Sequence, residues 1–553
     1  MISLPNNEQE KDPLLRALGE LGEGSSFLWK IFLISIVPTL ISGVQAISYV
    51  FTADIPTHWC EVKELNASNW TKNQIKTISS ASSCTSYNYN YTYFVKMGYD
   101  GALNYTKGHK LPETSECTNY LFENDLGRKS MVEEWGLLCR YAHQRPAVQM
   151  VLILGKTIGA FVFGTLSDKL GRKTVFVIGV ILLSISGPLS AVVPWYWVFV
   201  ILILLIGCSH PAILNSSYTI LIEVAAKKNR QWMGIAYNCG YPIGTIIVTG
   251  VAYCSSHWRH VQLACTVPAL ILIFFIWFLP ESPRWLVSKE HRDEARDIIE
   301  KPYGKIIQDN TRISIITLES LIMESNNSES EGKKKLNLFY KYFKSLWLLY
   351  SHCELRKRAA IIYVLLFVAS VSNYSLALNG RNFSLDSYLY IFLLGLTKIP
   401  SCVLPIPLLM VMGRRNSTVL LYCFCSFAFL STLVIPESED NIIMVARLIG
   451  RCVVSAVFSI IILYTCELFP TVVRNTAFGS SVAILNVGSL LAPLIVNMLQ
   501  DKVWWAPNTL CAVLVLFAGF LSFKLPETRD RKLTNTIDEE LEESKNVEKS
   551  LCC

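Results

Sequence analysis

The side chains best placed for chemistry are basic ones in apolar surroundings. Lys398 lies near the middle of an apolar run, in Gly395-Leu396-Thr397-Lys398-Ile399-Pro400-Ser401. Arg447 and Arg451 are four residues apart on another run and share one helical face. Arg447 sits near the run's end and can snorkel, whereas Arg451 is deeper. A charge inside an apolar span is costly unless compensated, so each is a functional candidate. The competing reading for Lys398 is a structural ion pair, but no acid stands within the same depth of the neighbouring runs. The chemistry such groups offer is electrostatic recognition of an anion, not bond-making. Leu154-Gly155-Lys156-Thr157 hints at a phosphate loop, but the position that must be glycine is Met150. No metal-ligand spacing stands out among the 8 His and 17 Cys, and no catalytic constellation, cofactor fold or nucleic-acid motif is present in the sequence.

The elements carrying these residues follow from composition. Of 553 residues, 52% are hydrophobic and 17% charged, against about 25% charged in an ordinary soluble domain. The apolar residues gather in blocks of about 20, enough to cross a hydrocarbon core of about 30 Å. Six blocks, Leu28–Val50, Pro146–Gly164, Val175–Val193, Trp195–Ile222, Gly234–Cys254 and Val261–Leu279, precede a charged linker. Six more, Ala359–Leu378, Tyr388–Met412, Val419–Ile435, Ile442–Cys466, Ala477–Leu499 and Val503–Phe523, follow it. Backbone polar groups in lipid must pair within their own segment, so the pattern predicts an all-α membrane protein of twelve transmembrane helices. The polar start Met1–Glu23 and the length of the first run argue against a cleaved signal peptide.

Basic residues in short links set the orientation. Lys169, Arg172 and Lys173, then Lys227, Lys228 and Arg230, then Arg414 and Arg415, then Arg474 fall on one side, which is expected to be cytoplasmic. Both termini are then cytoplasmic, and the 51–145 segment lies outside. That segment holds four Asn-x-Ser/Thr sites, Asn66, Asn69, Asn90 and Asn104, against a background of chance sequons such as Asn215 and Asn416. It also holds Cys60, Cys84, Cys117 and Cys139, an even set for an oxidising compartment, with three connectivities open. The implied division is an N-terminus 1–27, a bundle 28–280, a linker 281–358, a bundle 359–524 and a tail 525–553. Terminal Cys552-Cys553 is a weak lipidation signal, and Glu10-x-x-x-Leu14-Leu15 fits a sorting motif of low specificity.

Three features recur between the halves. Gly171-Arg172-Lys173 matches Gly413-Arg414-Arg415 at an offset of 242. Glu223 with Arg230 matches Glu467 with Arg474 at 244, and Pro280-Glu281-Ser282 matches Pro526-Glu527-Thr528 at 246. Three matches in order, all at the same helix ends, predict two pseudo-symmetric six-helix bundles. Parallel repeats of this kind are a transporter architecture, with the site between the halves near the midplane.

The turn Gly164-x-Leu166-x-Asp168-Lys169-x-Gly171-Arg172-Lys173 resembles the signature loop of the major facilitator superfamily. "SMVEEWGLLC" (Ser130–Cys139), "PESPRWL" (Pro280–Leu286), "ELFPTVVRNTAFG" (Glu467–Gly479) and the large outside loop make residues 14–529 resemble solute carrier family 22, the organic cation, carnitine and organic anion transporters. The resemblance implies a major facilitator fold, transport of small organic ions by alternating access, no cofactor and no enzyme activity. It also implies a multi-pass plasma-membrane location, and it leaves the oligomeric state open. A gating role is implied for Gly164, Asp168, Gly171, Arg172, Glu223, Arg230, Gly413, Arg414, Glu467 and Arg474. Acids contribute little to orientation, so Asp168 is the part of the turn that topology leaves unexplained.

Cation-carrying members of that family have an acid at the positions that match Lys398 and Asn486, and anion and carnitine members have an arginine at the second. This chain departs from both patterns. Lys398, Arg451 and the neutral Asn486 together favour a carboxylate, on an anion or on a zwitterion whose amine meets aromatic faces. Tyr218, Tyr241, Tyr374 and Tyr464 are the aromatic candidates, and Asn238 is a further polar one. For each tyrosine alone, ordinary packing with a bonded hydroxyl competes with that role. Cation transport and a non-transporting receptor on the same fold are the alternatives.

Overall fold

The computed structural model describes residues 25–109, 112–123, 128–289, 291–309, 347–378, 387–436, 439–500 and 505–529. Its framework is twelve helices matching the twelve apolar runs. In the first half they are α1 (Ser26–Thr52), α2 (Gln144–Leu170), α3 (Arg172–Val192) and α4 (Tyr196–Val224). Next come α5, in two pieces (Lys227–Asn238 and Gly240–Cys254), and α6 (Trp258–Thr266, continued by a tighter turn Val267–Leu270 and Ile271–Phe278). The second half has α7 (Cys353–Leu378), α8 (Ser387–Val403 and Pro405–Met412), α9 (Arg414–Val434), α10 (Asp440–Leu468), α11 (Thr471–Gln500) and α12 (Ala506–Ser522).

The interruptions have local causes. Pro268 and Pro405 lack the N–H that an unbroken ladder requires at those places in α6 and α8. Eight helices among the described residues are long and apolar enough to cross a bilayer, and α11 and α12 contain shorter apolar stretches, Thr476–Ala492 and Ala506–Ser522. Several helices outrun their apolar blocks: α2 runs on through Ser167, Asp168 and Lys169, because a helix may leave the hydrocarbon with a polar end.

The packing makes the repeat visible. In the first half α1 packs on α4, α5 and α6, α2 on α4, and α3 on α4 and α6. In the second, α7 packs on α10, α11 and α12, α8 on α10, and α9 on α10 and α12. Adding six to each helix number converts one set into the other. Each half also has its own apolar core, around Phe176, Leu183, Ile213 and Leu272 in the first and around Tyr422, Phe429, Val457 and Ile461 in the second. The main contacts between halves, α5 with α8 and α2 with α11, obey the same rule. At the end that carries the 51–145 segment the halves pack shut: Ile47 of α1 meets Tyr390, Ile391 and Leu394 of α8 and Met444 and Leu448 of α10.

The 51–145 segment is a small folded unit. Strands Thr57–Cys60 and Tyr120–Glu123 pair antiparallel, as do Thr85–Tyr87 and Thr114–Glu116. Disulfides Cys60–Cys117 and Cys84–Cys139 select one of the three connectivities that the sequence leaves open. In the 281–358 segment, helices Pro283–Ser288 and Arg292–Asp309 pack together, and Ile299 joins the first-half core.

Candidate functional site

Small residues let the helices around the centre approach closely. A Cβ on Gly155 of α2 would collide with the Leu204 carbonyl of α4, and one on Gly207 with the Leu152 carbonyl. Gly395 brings α8 of the second half onto α5 of the first, where a Cβ would stand 2.9 Å from Ile246 Cγ1. These contacts set the positions of the polar groups at mid-depth.

Lys398 projects from α8 across to the first half, with its Nζ 4.0 Å from the centre of the Tyr241 ring of α5. A cation over an aromatic face is attracted by about 0.5–2 kcal/mol, more when dry. Arg451 of α10 lies in electrostatic reach of Lys398 and of Tyr241, Tyr374 and Tyr390, and its Nη1 donates to the Asn373 carbonyl at 3.4 Å. Arg451 Nε and Asn373 Oδ1 are buried without a hydrogen-bond partner among the described residues. Tyr374 lies beside Ser489 of α11, whose hydroxyl bonds Ser370 of α7. Along all twelve helices Asp and Glu occur only at or near helix ends. The centre therefore holds excess positive charge and unspent donors, the chemistry that binds an anion.

The structure brings Lys398, Arg451, Tyr241 and Tyr374 together, and adds Tyr390 and Asn373, which the sequence reading did not select. Asn486 lies on α11, half-buried. Tyr218 and Asn238 are exposed nearer the opposite end from the 51–145 segment: the Tyr218 ring lies 5.0 Å from that of Tyr237, and Asn238 Nδ2 donates to the Gly234 carbonyl. Tyr464 stands apart, 0% exposed in the second-half core, its hydroxyl 2.5 Å from the Pro526 carbonyl. Its place three residues before Glu467, at a helix end, was the available sign of that depth.

The repeated motifs assemble into two matching clusters. Gly171 has φ +102°, a conformation glycine tolerates, and a Cβ there would strike the Glu281 carboxylate. That carboxylate accepts from the backbone N–H of Arg172 (2.9 Å) and Lys173 (3.1 Å) and so caps α3. The Arg172 side chain pairs with Glu223 at 3.5 Å, and Glu223 also accepts from the Ser282 hydroxyl. In the second half Gly413 has φ +80°, Glu527 accepts from Arg414 N (2.8 Å) and Arg415 N (3.0 Å), and Arg414 pairs with Glu467 at 2.9 Å. Thr528 donates to Glu467 as Ser282 does to Glu223. Every one of these contacts lies inside one half. Gly164 has open space around it, and the side chains of Asp168, Arg230 and Arg474 lie outside the described ones.

The Ser130–Cys139 motif clasps the outer segment onto the bundle. Glu134 accepts from Trp258 Nε1 (2.8 Å) and pairs with Arg259 at the start of α6. Burial pushes its carboxyl up, but the Arg259 and Trp258 hydrogen bonds outweigh that and hold it below the usual range. Trp135 packs against Tyr196, Phe199 and Trp258, with its Nε1 on the Pro194 carbonyl. Asn66, Asn69, Asn90 and Asn104 are all exposed on this segment.

Comparison with known proteins decides the family. The family described as "Sugar (and other) transporter" matches residues 74–539. The chain belongs to that family. Within it, the chain is similar, at about a quarter identity, to organic cation transporters and to members of solute carrier family 22. It is 27% identical over 536 residues to a Drosophila melanogaster "Organic cation transporter protein", covering 96% of this chain and 94% of the relative. It is 25% identical over 533 residues to human "Solute carrier family 22 member 13", covering 95% and 92%. The fold matches that of a major facilitator superfamily proton:xylose symporter, XylE, with a TM-score of 0.59 and 16% identity, over 94% of this chain and 99% of that one. The chain is thus a multi-pass membrane transporter and not an enzyme.

Proposed function

We propose that the protein carries organic anions, or zwitterions presenting a carboxylate, across the plasma membrane by alternating access of its two halves. The observation that carries this is Lys398 of the second half on the Tyr241 ring of the first, beside Arg451, in a centre without an acid. A cation placed there meets like charge, whereas a carboxylate pairs with the lysine and takes up the unspent arginine donor. On this reading the 51–145 segment and its sequons face outward, both termini face the cytoplasm, and the structure is the state closed on the outside. Asp168 is assigned to the gate, with the basic residues of the same turn serving topology.

The test is uptake of a labelled panel of organic anions, zwitterions and cations into proteoliposomes by the purified protein and by Lys398→Glu. Anion or zwitterion uptake by the parent, lost in Lys398→Glu, is expected. Unaffected uptake of all three classes by the variant removes Lys398 from the site. No uptake of any class, with saturable binding retained, favours a receptor.

A further inference from the structure

The lysine of the failed phosphate-loop motif remains to be explained. Lys156 sits at the midpoint of α2. Gly155 and Gly159 press α2 onto α4 at Leu204–Cys208, which puts Lys156 at the level of His210, the central residue of α4. Lys156 is in electrostatic reach of both His210 and Lys398. His210 offers it no negative charge: its Nε2 is 2.5 Å from Gln45 Oε1, while Gln45 Nε2 donates to the Cys265 carbonyl at 3.4 Å. Both lysines sit deep in the protein, yet each is only half-buried, as the lining of an internal space would be.

The two are also related by the repeat. Lys398 follows Lys156 by 242 residues, the offset that relates Gly171 to Gly413 further along the same helices. Since α8 is the counterpart of α2, the lysines are pseudo-two-fold mates, one from each half.

We propose that Lys156 and Lys398 form a two-ended anion site whose substrate bears two acidic groups, one held by each half. This rests on the anion reading above. A substrate with one charge leaves one buried lysine uncompensated, while a dianion compensates both.

The experiment measures initial uptake of a labelled five-carbon dicarboxylate and of its mono-methyl ester by the full-length protein in proteoliposomes. Uptake is compared among the parent, Lys156→Gln, Lys156→Arg and Lys398→Gln. The parent is expected to favour the diacid by about tenfold, since leaving a partly buried charge without its charged partner costs about that factor. Lys156→Gln and Lys398→Gln should each bring the ratio near unity, and Lys156→Arg should keep it. If the parent takes ester and diacid alike, or Lys156→Gln keeps the full preference, the dianion site is overturned while the anion reading stands. If neither acid enters but an organic cation does, the anion reading falls and the dianion site with it. Should Lys156→Gln fail to fold, the parent's ratio and that of Lys156→Arg still decide.

Discussion

Removing the two helix-capping carboxylates tests whether the repeated motifs hold each half together or hold the halves against each other. Glu281 accepts from Arg172 N at 2.9 Å, from Lys173 N at 3.1 Å and from Ser282 N at 2.9 Å, and Glu527 does the same for Arg414, Arg415 and Thr528 at 2.8, 3.0 and 3.0 Å. Losing a helix cap costs about 1 kcal/mol, and a hydrogen bond to a charged group is worth about 1.5–3 kcal/mol. Both carboxylates are only half-buried, so water replaces part of what is lost. We therefore expect about 2 kcal/mol for Glu281→Ala and about the same for Glu527→Ala. For a domain the size of one half, that is a fall in melting temperature of about 4–8 °C. The sites are in different halves and share no partner, so the double variant should show the sum. The assay is thermal unfolding of the purified protein, paired with uptake normalised to surface protein. Per-molecule uptake should stay within about twofold of the parent. The reasoning is refuted if one variant is costly and the other free. It is also refuted if both abolish per-molecule uptake while melting is unchanged, because the carboxylates would then belong to the gate.

Two further expectations concern the outer segment. Its clasp should persist into mild acid: Glu134 is held below the ordinary carboxylate value of 4.5, so its contribution is complete above that pH and fades only as pH falls through the lower folded value. Limited proteolysis of the segment should be unchanged between about pH 8 and 5 and faster throughout in Glu134→Ala; loosening of the parent between pH 7 and 5 would contradict this. Each of Asn66, Asn69, Asn90 and Asn104 is exposed, and the disulfides are Cys60–Cys117 and Cys84–Cys139. Asn→Gln changes at these sites should each remove one glycan-sized step on a gel, and peptide mapping without reductant should recover those two linkages and no other pairing of the four.

Much of the fold was legible because hydrocarbon imposes one rule on every span, and the rule leaves runs of fixed length. The break in α5 was less so, since Cys239 carries no signal of its own, whereas Pro405 marks the break in α8. The repeat was legible in its motifs, but their geometry was not. The sequence shows Glu223 and Arg230 only as a motif that returns at Glu467 and Arg474, and it gives no sign that Glu223 pairs with Arg172 on another helix. Tyr218 and Tyr464 read as equals of Tyr241 because periodicity places a residue on a face and says nothing of its depth relative to a neighbouring helix. Lys156 was hidden for a different reason. Its surroundings resemble a familiar loop, and rejecting that loop removed the residue from view, although the 242-residue offset already tied it to Lys398.

The two-fold also shows where the site must depart from symmetry. Applying to Arg451 the 244-residue offset that relates Glu223 to Glu467 leads to Gly207 in α4. Gly207 has no room for a side chain, because a Cβ there would enter the Leu152 carbonyl of α2. The contact that seats α2 on α4, and so places Lys156, is therefore the one that denies the first half an arginine of its own. The lysines are paired by the repeat while the guanidinium is not, and the second-half end of the proposed site carries the larger positive charge. A substrate with unequal ends would place its more strongly acidic or planar bidentate group toward Lys398 and Arg451, where a guanidinium can hold both oxygens, and its other end toward Lys156.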